Sequence, residues 1–500
     1  MKTPTPCDIP DETENHNPWL RRVAFACGNL GQAALYAFLN LYFVTYVSNA
    51  LLTHAHVNSP AAMITTVTSL MVVIRLAEIF IDPLLGAIID RTRTKFGRYR
   101  FWQFWGGLIS ALLLTPVYTG IFGLVNVNMT YYIIAFIITF VILDIFYSFR
   151  DISYWGMIPA IASEQSERSL LTSWATFTGS IGYNGVTVLI VPLVSFFSFD
   201  KITASQQTQE GWTAFAIIIS VLALVTMLSV VTVKETPQSL QANAKEEAKH
   251  NKSVKKVSVI NDMKELAHAI AHNDQMLWSA LSYLCYGIAN STTGAMMYFI
   301  FTYALRRNDL FWIVGIISAV TGLVMAPTYP LLNKKVPRKI IYGISLGLVF
   351  LAFLLLFIDS SNVILVMSAL ICFYVPATYI QLTIILTLTD SVEYGQLRTG
   401  TRNSALVLSV RPMIDKISGA LANELVAAIT VAVGMVAAAN GTIPIITSNH
   451  MMMFRLMAYA APMVLIAASF LIYQFKVTLT EKRHAEIVRE LETQSIDAQA

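Results

Sequence analysis

The sequence predicts an all-α integral membrane protein with about twelve transmembrane helices in two six-helix bundles. Three observations carry that prediction: scarce charge, repeated apolar runs, and one polar stretch that divides the runs six and six. Of 500 residues, 55% are hydrophobic and only 13% are charged, with a mean hydropathy of +0.60. Soluble domains carry roughly 25% charged residues. Charge this sparse cannot cover the surface of so large a globule, so lipid must cover it instead. A disordered chain, a nucleic-acid binder and a secreted disulfide scaffold are excluded on the same numbers.

A membrane helix needs about 20 mostly apolar residues. Such segments fall near 23–47, 61–89, 102–124, 131–159, 171–197, 212–233, 276–304, 310–332, 339–358, 362–389, 403–435 and 452–475. Several exceed a straight crossing, which predicts tilt or projection into water. Residues 1–22 read as a polar tail, and residues 1–18 lack the apolar core of a signal peptide. The first bundle is expected over 23–233 and the second over 273–476. Between them, 234–272 is a basic linker with a short interfacial helix at its end, and its charge run reads as a solvated, lipid-facing surface. The tail 477–500 suits only a short charged helix. The halves echo each other: DRTRTKFGRYR follows span 2 from Asp90, and NKKVPRK follows span 8 from Asn333. Equivalent basic loops in two six-span halves suggest a duplicated transporter.

Lys and Arg collect in cytoplasmic loops. With the N-terminus inside, only Lys201, Arg306, Arg307 and Arg455 fall in outside loops, so both termini are predicted to be cytoplasmic in a plasma-membrane protein. Cys7, Cys27, Cys285 and Cys372 lack metal or redox spacing and read as small apolar residues. His268 and His272 are four apart but have no third ligand beside them, and no histidine is given a role.

An ionisable residue inside a span costs at least about 2.5–3.5 kcal/mol and is a functional candidate. Four clusters qualify. On span 2, Glu78 and Asp82 share a helix face, with Arg75 one turn before. Two such carboxylates cannot both ionise cheaply in a dry site, so one holds a proton or a cation sits between them. Arg75 could neutralise Glu78, but Asp82 would remain unexplained. On span 4, Asp144, Arg150, Asp151 and Trp155 lie close together, with Asp151 and Trp155 on one face. A carboxylate beside an aromatic platform suits a sugar, the acid taking hydroxyl hydrogen bonds and the ring the apolar C–H face. The alternative is an interhelical Trp and an Asp151–Arg150 pair. On span 11, Arg411 and Asp415 form an i, i+4 pair, while Lys416 points about 100° away and needs acids across the cavity, such as Asp151 or Glu78 and Asp82. The fourth cluster, DSVEYGQLRTGTR, closes span 10 and includes Glu393 and Arg398. With Asp90 and Arg91 after span 2, it reads as an interhelical charge network that latches one conformation.

Together these motifs resemble the glycoside–pentoside–hexuronide:cation symporters, the branch of the major facilitator superfamily that includes the melibiose carrier. The likeness runs from about Gly28 to Lys416 and rests on DPLLGAIIDRTRTKFGRYRFW, DISYWGMIPAI and SVEYGQLRTGTRNSA. It implies that fold, with Glu78 and Asp82 at the cation site, Asp151 and Trp155 at the sugar site, and Lys416 at the cavity. The chain departs from the family pattern in two places. GNLGQ offers Asn29 or Leu30 where a sugar-binding acid is expected, and TSWATF has Ala175 or Thr176 in place of an arginine. α-Galactoside specificity therefore does not transfer.

The resulting expectation is a monomeric symporter importing a sugar or glycoside with H⁺ or Na⁺ by alternating access. Sugar contacts are assigned to Asp151, Trp155, Lys416 and Asn29, and coupling or gating to Arg75, Arg150, Arg411, Asp415, Asp90, Arg91, Glu393 and Arg398. Its partners are the sugar and the lipid bilayer, with no nucleic acid, no cofactor and no metal beyond a Na⁺ at Glu78 and Asp82. A carrier of an amphipathic or lipid-like solute and a non-transporting sensor are the alternatives. A membrane-embedded enzyme lacks any nucleophile–base pair or phosphate loop.

Overall fold

The computed structural model describes residues 18–51, 60–92, 94, 96–162, 165–198, 207–235, 273–399, 404–435 and 448–497. Six long helices fall in the first half: α1 (Pro18–Leu41), α2 (Pro60–Arg91), α3 (Arg98–Val117), α4 (Met129–Ile161), α5 (Gln165–Phe196) and α6 (Gln209–Val231). Six fall in the second: α7 (Asp274–Phe299), α8 (Trp312–Asn333), α9 (Arg338–Ile358), α10 (Val363–Thr399), α11 (Ser404–Val433) and α12 (Ser448–Arg455), which continues through a π turn into Ala461–Lys476. A charged helix, α13 (Glu481–Asp497), follows. The chain turns helical at Pro18 rather than at 23, and α10 runs through Thr399, so most of the DSVEYGQLR motif is helix rather than loop. The linker from 236 to 272, with its expected interfacial helix, lies outside the described residues.

Local chemistry sets the helix starts. Asn128 accepts from the Thr130 and Tyr131 amides at 3.0 and 3.2 Å, and Asn273 accepts from the Met276 amide at 3.1 Å. Each cap satisfies amides that the first turn leaves unpaired. Ile134, Ile138 and Ile142 form an exposed stripe along α4, which is a face for lipid. Helices α6 and α9 have the highest mean hydropathies among the spans, 2.8 and 2.7.

Packing repeats between the halves. Helix α1 packs on α5 and α6, as α7 packs on α11 and α12; α3 packs on α4 and α6, as α9 packs on α10 and α12; α2 meets α4, as α8 meets α10. The halves touch through α2–α11 and α5–α8, two contacts that exchange under the same correspondence. Helix α1 fits between its neighbours because two glycines permit it. A Cβ on Gly31 would lie 2.1 Å from Thr226 Oγ1, and one on Gly182 would lie 2.0 Å from the Leu30 carbonyl oxygen. Small residues are how membrane helices approach this closely.

The two ends of the bundle differ. Away from the termini the halves meet directly: Ser69 donates to Glu424 at 3.1 Å, the Tyr42 and Phe311 rings meet edge-on, and a Cβ on Gly315 would lie 2.5 Å from Val188. At the terminus-bearing end, the ion pairs among the described residues join helices of the same half.

Candidate functional site

Halfway along α2, α4 and α11 the buried charges converge. Lys416 of α11 donates a short hydrogen bond to Asp82 of α2, and its Nζ lies 3.6 Å from Glu78 Oε2. Glu78 also lies within electrostatic reach of Asp144 on α4. Arg75 lies over the Tyr36 ring at 5.8 Å and interacts electrostatically with both Asp144 and Glu78. Arg75, Glu78 and Asp144 are all 4% exposed or less. Two buried oxygens, Asp82 Oδ1 and Asp144 Oδ2, have no hydrogen-bond partner. Such atoms are costly unless something pairs with them, and a proton or small cation is the chemistry that fits.

Beside this cluster lies the second acid of α4. Gln32 of α1 donates to Asp151 Oδ1 at 2.5 Å, and the Asp151 carboxylate lies within electrostatic reach of Lys416. Trp155, one turn further, is 38% exposed and interacts with the same carboxylate. At 100° per residue it points about a third of a turn away from the lipid-facing isoleucines of α4. On the same helix as Lys416, Arg411 lies 3.8 Å from Asp415, which accepts a 2.9 Å hydrogen bond from Tyr283 of α7. Tyr36, Tyr183 and Tyr286, from three further turns of helix, are within electrostatic reach of Asp415. The lining is thus polar and aromatic.

A family model described as MFS/sugar transport protein matches residues 24–481. The chain belongs to this family. It is 40% identical over 485 residues to the lactose permease of Leuconostoc lactis, covering 97% of this chain and 73% of that one. It is 34% identical over 482 residues to the raffinose carrier protein of Pediococcus pentosaceus, covering 96% and 72%. Two solved structures share the fold. One is a D-xylose-proton symporter, with TM-score 0.61, 13% identity and coverage of 92% of this chain and 98% of that one. The other is the xylose transporter from E. coli in a partially occluded inward-open conformation, with TM-score 0.54, 16% identity and coverage of 93% and 98%. As a member of the MFS sugar-transport family, the protein is a multi-pass membrane sugar symporter and not an enzyme.

Within this MFS carrier the structure brings Glu78, Asp82, Asp151, Trp155, Lys416 and Arg75 into one neighbourhood, with Arg411 and Asp415 on the same helix as Lys416. It places other candidates elsewhere. Asn29 donates to the Ala175 carbonyl at 2.9 Å and is part of α1–α5 packing; Gln32, three residues on, is the GNLGQ side chain that meets Asp151. Arg150 does not hydrogen-bond Asp151. It is fully buried and reaches the carbonyls of Gly28 and Ala223 at 3.3 and 3.4 Å, bracing α4 against α1 and α6. Arg398 pairs with Asp274 at 2.8 Å, and Glu393 lies 3.6 Å from His484; both of these partners belong to the second half. The side chains of Asp90 and Arg91 lie outside the described residues. Sequence reasoning placed Asp144 in a cluster but gave it no role, and missed Gln32 and the tyrosines. The available signal was a carboxylate seven residues before Asp151, two turns along the same face.

Proposed function

We propose that this carrier imports a galactosyl sugar with a cation by alternating access. Glu78, Asp82 and Asp144 hold the cation, Gln32, Asp151 and Trp155 hold the sugar, and Lys416 links the two. The observation that carries this reading is charge balance at mid-membrane. Four buried or partly buried acids, Glu78, Asp82, Asp144 and Asp151, face Arg75 and Lys416, and Arg150, though bound to carbonyls of the first bundle, is within electrostatic reach of Asp151. One negative charge is left over, and a coupling proton or Na⁺ is what neutralises it. The galactosyl class is supported by two relatives whose names specify lactose and raffinose, both sugars with a galactosyl unit. The polar, tyrosine-rich lining favours a sugar over an amphipathic solute.

Alternating access follows from the same residues. Lys416 is on α11 and its acids are on α2, so the ion pair bridges the halves. Loading a cation among the acids weakens their hold on Lys416 and frees the halves to rock about the site. Both termini are assigned to the cytoplasm by the distribution of Lys and Arg. The test uses de-energised vesicles with labelled lactose and a proton or a sodium gradient imposed separately. One gradient should drive accumulation, and unlabelled raffinose should compete. If lactose and raffinose neither accumulate nor compete under either gradient, the galactosyl assignment fails.

A further inference from the structure

A second basic region lies far from the sugar site. At the terminus-bearing end of the second half, a pocket of about 360 Å³ opens between the α8–α9 turn, the end of α12 and the start of α13. Lys334, Lys335, Arg338, Lys339 and Lys482 line it, with Glu481 as the only acid among them. Arg338 is already matched by Asp390 at 2.5 Å and by Glu481 at 3.7 Å, and Lys339 donates to the Val477 carbonyl at 3.2 Å. Lys334, Lys335 and Lys482 form no ion pair with any described carboxylate. A tendency of cytoplasmic loops to be basic accounts for positive charge, but not for its convergence on one cavity.

Two further observations specify the ligand. The pocket wall includes the first residues of α9 and α13, helices of 21 and 17 residues, whose N-terminal ends add partial positive charge. Its surroundings are apolar and outward-facing: Leu331, Ile340 and Phe475 are 64%, 50% and 73% exposed. These side chains are where acyl chains would lie, one helical turn from the lysines. Basic pockets between spans near the headgroup layer select anionic lipid.

We propose that this pocket binds the phosphate headgroup of an anionic phospholipid, held by Lys334, Lys335 and Lys482. The acyl chains run down the α9–α12 face past Ile340 and Phe475. The bound lipid ties the start of α13 to the membrane end of the second bundle. No part of this assignment depends on the sugar or the coupling ion.

Purified full-length carrier, examined by native mass spectrometry, tests it with phosphatidylglycerol against phosphatidylcholine of the same acyl chains. Phosphatidylglycerol should be retained at least about tenfold better, and the Lys334→Gln/Lys335→Gln/Lys482→Gln variant should lose that preference, since each lysine near a headgroup contributes about fivefold. Arg489→Gln, which removes a cation of α13 outside the pocket, should retain it. A thermal-shift series with glycerol 3-phosphate separates lipid from free phosphate. Stabilisation by the soluble phosphate without phosphatidylglycerol selectivity would overturn the lipid assignment. Equal retention of the two lipids, or unchanged selectivity in a triple variant that melts normally, would overturn the site itself.

Discussion

The charges around Lys416 and those at the terminus-bearing end of α10 are the same residue types in different surroundings. Lys416 and Glu78 have side chains 21% and 5% exposed, lie on different halves, and sit beside oxygens of Asp82 and Asp144 that have no hydrogen-bond partner. Arg398 and Asp274 are 54% and 41% exposed, belong to one half, and are joined by Tyr394 at 2.7 Å. Water screens the second pair and not the first. On the proposed reading, the buried region responds to the coupling ion while the exposed one holds helices of one half together. The difference teaches that burial and placement, not residue type, separate a pair that ties helices of one half from a pair that bridges the halves. Arg398 of the α10 motif pairs within its own half, whereas the buried Lys416 bonds an acid of the other half.

The largest expected effect comes from breaking that tie. Lys416→Ala should abolish accumulation, because unpairing a buried ion pair costs about 3–5 kcal/mol. Combining it with Asp82→Asn should restore part of downhill exchange, so the double change costs less than the sum. A double-mutant cycle on uptake checks this, and strict additivity would mean that Lys416 acts alone. Asp144→Asn comes next. Removing one member of the Glu78–Asp144 pair should lower the gradient-driven accumulation ratio at least about tenfold while downhill exchange continues. A wild-type ratio would confine Asp144 to packing.

Smaller effects sharpen the sugar side. Trp155→Ala should weaken sugar binding by about 1–3 kcal/mol, with Trp155→Phe in between, and direct binding of labelled sugar measures it. At the exposed network, Arg398→Ala should change stability by no more than about 1 kcal/mol and leave accumulation intact. A coupling defect there would erase the contrast between the regions.

The smallest effect is at the foot of α1. Arg22 and Arg21 bond Glu167 and, against partial burial, hold its carboxyl below the ordinary glutamate value of 4.5. A carboxyl depressed in the folded state contributes stability above that value and loses it as pH falls through the folded one. The melting temperature of the native carrier should therefore fall more than that of Arg22→Ala between about pH 5 and about pH 3. Parallel curves would show that the pair contributes nothing.

Much of this carrier was legible in its residues one at a time. Twelve apolar runs, the sign of the loops and the i, i+4 placement of Glu78 with Asp82 and of Asp151 with Trp155 all follow from helix periodicity and the cost of charge in lipid, which are local properties. What the chain could not show alone was which side chain crosses which gap. Asn29 and Gln32 are both amides on α1, yet only packing against α5 and α4 decides that Asn29 is spent on a carbonyl and Gln32 meets Asp151. Arg150 sits next to Asp151 in sequence but points into the first bundle, because successive helix residues diverge by 100°. Lys416 and Asp82 are 334 positions apart. Their bond exists only because duplicated halves bring α2 against α11, and no periodicity within either helix encodes that meeting.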